Sequence, residues 1–131
     1  MNQPMKGVKI QQLPFKLIKK CDILAYNGPI LSHFKSDDSK DYFMFWVDAN
    51  EKYNRWLLFY VSQKNIEKYF NTTISLAELV FYNQKNFVYF IDIDDNIDYK
   101  NIIRTAVKDF PMEYAPGDKS YFNSKYATIT P

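Results

Sequence analysis

Residues 42–62 read Y-F-M-F-W-V-D-A-N-E-K-Y-N-R-W-L-L-F-Y-V-S, two aromatic and aliphatic runs around a short polar stretch. The pattern predicts a β-hairpin. Successive side chains of a strand point to opposite faces, so Tyr42, Met44 and Trp46 share one face while Phe43, Phe45 and Val47 share the other. In the second arm Trp56, Leu58 and Tyr60 oppose Leu57, Phe59 and Val61. Both faces are apolar in both arms, so whatever sheet contains this hairpin must be covered on each side. That requirement governs the reading of the rest of the chain.

Short apolar runs at residues 23–26 and 30–34 flank Asn27-Gly28-Pro29. Asn-Gly supplies the positive φ angles of a tight turn, and Pro29 lacks an N–H, so this strand pair belongs at a sheet edge or begins there. Residues 8–18 mix apolar residues and lysines around Pro14, as an extended lead-in or edge strand does. Ser62 is placed to cap a helix over residues 63–70, with Ile66, Tyr69 and Phe70 as its apolar stripe. Ser75 and Glu78 fit a capping box, with Ile74 and Leu79 at the positions of a hydrophobic staple, so a helix runs from Leu76 to about Tyr82. Residues 87–93 alternate as a strand. Ile102, Ile103, Ala106, Val107 and Phe110 sit at helical spacing, which predicts a third helix over residues 99–110, capped by Asp98 and stopped by Pro111.

Strands, helices, a strand and a helix in that order predict an α+β fold, a mostly antiparallel twisted sheet of about five strands under two or three helices. With 131 residues there is material for one core and not two. Residues 1–20 form a basic lead-in or edge strand, 21–118 the domain, and 119–131 a C-terminal tail or arm.

Several of these marks resemble a family of small bacterial domains of unknown function, whose members carry an Asp-Gly-Pro turn, a paired hairpin, a serine-started helix and late prolines. The matching stretches are Tyr26-Asn27-Gly28-Pro29-Ile30-Leu31, Trp56-Leu57 through Val61-Ser62, Ile74-Ser75-Leu76-Ala77-Glu78-Leu79, and Phe110-Pro111 with Tyr114-Ala115-Pro116. Asn27 stands in place of the usual acid and Ala115 in place of leucine. The resemblance implies the same fold and carries no activity with it.

Charge and cysteine content narrow the function classes. The formal net charge is +2, short of the balance of a dedicated nucleic-acid binder. Cys21 stands alone, so an intramolecular disulfide and a thiolate zinc cluster are both excluded. The N-terminal residues lack the apolar core of a secretory signal, and no run approaches the ~20 apolar residues of a membrane span. A cytoplasmic protein without a membrane role is expected, which leaves the sequon Asn71-Thr72-Thr73 idle.

No constellation announces a reaction, and neither a catalytic residue nor a cofactor is assigned. His33 is the lone histidine, with Cys21 as its one thiol partner in sequence. Gly7, Gly28 and Gly117 lie too far apart for a phosphate loop. The cluster Asp92-Ile93-Asp94-Asp95-Asn96-Ile97-Asp98 fails as an EF-hand, since Ile97 and Ile103 occupy its glycine and closing-glutamate positions. Asp92, Asp94 and Asp98 nevertheless form the candidate cation site of a metal-dependent phosphodiesterase, against a bland role at a helix start. Lys16, Lys19, Lys20, Lys64 and Lys68, with open rings among Trp46, Trp56 and Tyr60, form the candidate nucleic-acid surface. Tyr53, Arg55 and Trp56 bring hot-spot residue types to the hairpin bend. The leading expectation is a non-enzymatic module that binds a protein partner, of accessory, immunity or inhibitor type. Nucleic-acid association and phosphodiester hydrolysis are the alternatives.

Overall fold

The structure, a computed structural model, describes residues 5–82 and 87–126. Its centre is the expected hairpin: β4 (Asp41–Ala49) and β5 (Tyr53–Val61) pair with Tyr42 opposite Tyr60, Met44 opposite Leu58 and Trp46 opposite Trp56. Around it the chain builds a meander. β2 (Leu17–Ala25) turns at Asn27-Gly28 into β3 (Pro29–Ser36), and β3 pairs with β4. Asn27 takes φ +54° and Gly28 φ +128°, the left-handed conformations that the turn demands.

After β5 come α1 (Gln63–Phe70) and α2 (Leu76–Tyr82). Both start as their sequences require. Asn65 N donates to Ser62 Oγ. The Ser75–Glu78 box closes reciprocally, with Glu78 N on Ser75 Oγ at 3.1 Å and Ser75 N on Glu78 Oε1 at 3.2 Å. β6 (Phe87–Asp94) then returns beside β5, and β7 (Tyr99–Ala106) beside β6. β1 (Val8–Ile10) pairs with the far side of β7. The result is one antiparallel sheet of seven strands, ordered β1-β7-β6-β5-β4-β3-β2.

The α+β class and the mainly antiparallel sheet stand, and two α-helices fall within the two or three expected, but seven strands replace about five. The main difference is the predicted helix over residues 99–110, which is strand β7 followed by single 3₁₀ turns at Val107–Asp109 and Met112–Tyr114. The helical spacing misled because β7 is covered on both faces. Ile102 packs on one side and Ile103 on the other, so adjacent apolar residues mimic a helical stripe. Asp98 caps no helix. It closes the β6–β7 turn, where its amide and that of Asn96 each donate to Asp94 Oδ1 at 2.9 Å.

The two faces have different covers. One carries α1, α2 and the segment after β7, which close over Phe43, Leu57, Phe59, Leu79, Val88 and Phe90. Phe110 and Phe122 join that core, and Ser120 O accepts from Leu76 N at the start of α2. The opposite face is covered by the chain between β1 and β2. Residues 11–16 cross it as a strap, with Leu13 and Phe15 packed over Tyr42, Met44, Leu58, Ile91 and Ile102. Phe15 stacks on Tyr42 at 4.6 Å between ring centroids and meets Tyr89 edge-on at 5.8 Å. Seven residue steps reach at most about 25 Å, whereas a flat seven-strand sheet is about 29 Å wide, so the sheet must curl toward the strap. Gly7 lets the chain enter β1, because a Cβ there would meet Ile103 Cγ2 at 2.7 Å and Arg104 O at 2.8 Å. The basic lead-in thus supplies the short edge strand β1, the strap, and the first part of the opposite edge. At the other terminus Phe122 anchors the predicted arm against Tyr69 and Phe70, and residues 127–131 lie outside the described residues.

Candidate functional site

Among the described residues the strap leaves one end of its face uncovered. Phe15 rests on Tyr42, and Trp46 lies four residues further along β4, about 13 Å away at the rise of a strand. Trp46 is 38% exposed and its cross-strand partner Trp56 is half-buried. Asn54 sits on the same face, two residues before Trp56, and its Oδ1 accepts the Trp46 indole N–H at 3.0 Å. The β2–β3 turn forms the other wall with Tyr26, Pro29 and Ile30. Together these groups line a recess of about 370 Å³. Tyr26 is 79% exposed at its rim. Among the described residues that line it there is no Asp, Glu, Lys or Arg.

Directly beneath, on the helix-covered face, the same strand end is locked by charge. Arg55 binds Asp92 in a fork: Nε donates to Oδ1 at 2.7 Å and Nη2 to Oδ2 at 2.9 Å. Asp92 is fully buried and also accepts from Asn101 Nδ2 at 3.0 Å. Tyr114 extends the network by donating to Asp48 Oδ2 at 2.8 Å while its oxygen accepts from Arg55 Nη1 at 3.4 Å. The hydrogen bonds from Arg55 to Asp92 hold the guanidinium charged against the cost of its burial. Burial pushes the Tyr114 phenol up, and its bond to Asp48 adds to that. Burial opposes the Asp48 charge, but the Tyr114 hydroxyl and the Ala49 amide outweigh it and hold that carboxyl low. Arg55 lies between Asn54 and Trp56, so this clamp ties β5 to β6 where the recess is built.

The structure separates the three residues expected to act together at the bend. Tyr53 and Arg55 point to the helix-covered face, Arg55 inward to Asp92, while Trp56 points to the strap-covered face. The aromatic platform contracts in the same way. Met44 is buried and Tyr60 half-buried, which leaves Trp46 with Trp56 as its open part. The lysines are dispersed. Lys16, Lys19 and Lys20 lie at the β2 edge, where Lys19 Nζ sits 2.6 Å from Asp22, while Lys64 and Lys68 are on α1 over the other face.

Two of the three candidate aspartates have side-chain partners, and Asp98 contributes its backbone amide to the turn. Asp92 belongs to Arg55, and Asp94 accepts turn amides and pairs with Lys100 at 3.2 Å. The amide of Asp98 and its fellow turn donors keep the Asp94 carboxyl below its usual range. Among the described residues no three His, Cys, Asp or Glu side chains converge to hold a metal ion.

Cys21 and His33 are brought into direct cross-strand register, and His33 Nε2 lies 2.8 Å from Asp41 Oδ1. Burial, aided by Asp22, pushes the thiol up, away from the thiolate a nucleophile needs. Sequence reasoning missed Tyr26, Pro29, Ile30 and Asn54. The signal available was Tyr26 beside the Asn-Gly-Pro turn, an aromatic at a position that turn geometry leaves in solvent.

Among the described residues no helix is long and apolar enough to cross a membrane. Compared with protein-family models, curated proteins and solved structures, the chain finds no match.

Proposed function

We propose that the chain is a non-enzymatic protein-binding module of accessory, immunity or inhibitor type, and that it meets its partner through the recess between Trp46, Trp56 and the β2–β3 turn. The observation that carries this reading is the exposure of Trp46 and Tyr26 around an uncharged concavity on a rigid sheet. Large rings held open to solvent on a fixed scaffold are the usual anchors of protein recognition. The nucleic-acid reading draws less support, because stacking surfaces work beside cations that follow the phosphates. Here the lysines lie away from the indoles.

The test is affinity capture from the native cell after nuclease treatment, with wild-type protein and Trp46→Ala as paired baits. The expected result is a stoichiometric protein retained by the wild type and lost from the variant. Capture abolished by nuclease, or unchanged by Trp46→Ala, would reject this reading.

A further inference from the structure

The chain has two arginines, and the sheet treats them differently. Arg55 is enclosed and matched, its guanidinium forked onto Asp92. Arg104 stands on the strap-covered face of β7, two residues beyond Ile102, with Val8 and Tyr89 beside it in register. Its guanidinium carbon lies 4.7 Å from the centroid of the Phe87 ring. Its Nε is closed off from solvent and meets no acceptor among the described residues. A buried donor left without an acceptor weakens a fold, so its retention points to a use. The acids of the neighbouring strands are committed elsewhere, Asp92 to Arg55 and Asp94 to Lys100. Arg104 is therefore a cation to which β1, β6 and β7 offer no anion.

We infer that Arg104, Phe87 and Tyr89 receive an acidic side chain of a partner protein, a glutamate or aspartate flanked by apolar residues. This rests on the protein-binding reading above and adds a second contact with its own chemistry. Arg104 is partly exposed and Phe87 is 46% exposed, so a carboxylate can reach the guanidinium beside a ring that is itself open. A planar carboxylate takes a guanidinium by two parallel bonds, as Asp92 does on Arg55. Tyr89 adds a hydroxyl bonded to no other described residue. Burial pushes that phenol up and outweighs the Arg104 charge that pulls it down, so it stays a donor. Arginine and tyrosine together are the types that dominate protein-binding hot spots. A phosphate fits less well, because its second charge asks for a second cation. Lys9 is in register with Ile103 and so belongs to the other face, and Lys100 is paired with Asp94.

Two-dimensional NMR of the arginine Nε–H groups reads the site directly. Arg55 is the internal control, and Arg104→Lys assigns the second resonance by removing it. The probes are a short capped peptide with glutamate between two phenylalanines, the same peptide with glutamine in its place, and inorganic phosphate. The expected result is a saturable shift of the Arg104 resonance with the glutamate peptide alone, with a Kd of about 1–10 mM. Arg55 should stay still, because Asp92 already fills its fork. Raising salt to about 0.5 M should weaken binding by about threefold or more, as an exposed ion pair requires. Phe87→Ala keeps Arg104 and is expected to weaken binding by about threefold. No shift of the Arg104 resonance at about 20 mM glutamate peptide overturns the inference, as does an equal response to the glutamine peptide or a stronger one to phosphate. If a protein partner is captured through Trp46 and the glutamate peptide leaves Arg104 unmoved, the carboxylate contact is wrong and the module reading stands. If Arg104 responds and capture ignores Trp46→Ala, the contact stands and the recess loses its role.

Discussion

The two faces of the sheet are built from the same residue types and end differently because their covers differ. On one face two helices and the segment after β7 close over Phe43, Phe59, Leu79 and Phe90, and even a charged pair is enclosed there. Among the described residues the other is crossed by residues 11–16 alone. A strap that short covers the middle of a strand pair and stops before its end, so Trp46 and Trp56 remain beside solvent. Exposure of these rings follows from how much chain crosses them. It does not follow from their hydrophobicity, which matches that of the buried rings.

The largest expected effect lies on the closed face. Asp92→Ala leaves the Arg55 guanidinium enclosed without its carboxylate, and breaking such a pair costs about 3–5 kcal/mol. Urea unfolding should show that loss. Replacing both residues, Arg55→Met with Asp92→Leu, should cost much less, since no uncompensated charge remains. If Asp92→Ala is silent, the closed face is more hydrated than its packing implies and the contrast between the faces fails.

The strap gives the next effect. Phe15→Ala removes the ring that stacks on Tyr42 and touches Tyr89, for an expected loss of about 2–3 kcal/mol. The same substitution has a titration signature. Burial pushes the Tyr42 phenol up from its ordinary 10 to about 12, with nearby Asp38 adding to it. A group whose folded pKa is raised contributes stability that is intact below pH 10 and lost as pH climbs to about 12. Loosening the strap should hydrate Tyr42, return its titration toward 10 and flatten that alkaline decline, as ultraviolet difference titration can follow. An unchanged Tyr42 titration in Phe15→Ala would mean that the strap does not seal this face.

Where local chemistry decides a feature, the residues announce it. Ser75 with Glu78, Ser62 before α1, and Asn27-Gly28-Pro29 each satisfy backbone groups within a few residues, so their roles were legible without a fold. The pairing within residues 42–61 was legible for a related reason, since neighbouring arms of one hairpin set their own register. Features made by distant residues were not. Arg55 looks like a surface residue of a bend until Asp92, 37 positions later, is placed beside it. Ile102 and Ile103 look like one helical stripe until both covers of β7 are known. Trp46 was unresolved in the same way, because its exposure depends on where a strap from the other end of the sheet stops.

A smaller effect is expected at the β6–β7 turn, outside both covers. Ile97 takes φ +63° while 78% exposed, a conformation that a β-branched residue adopts at a cost of roughly 1–2 kcal/mol. Ile97→Asn, which tolerates that backbone, should raise stability by about 1 kcal/mol in thermal or urea unfolding. A loss on that substitution would show that the Ile97 side chain has a packing role its exposure conceals.

The smallest effect on stability discriminates most sharply between the faces. Tyr26→Ala removes a ring that touches little of the fold, so unfolding should shift by less than about 0.5 kcal/mol. The same change should weaken capture of the protein partner by about tenfold. A side chain that supports the fold changes both quantities together, while one kept for recognition changes only binding. If Tyr26→Ala destabilises the protein as Phe15→Ala does, the rim of the recess is part of the packing, and the open end of the sheet loses its claim to be a binding surface.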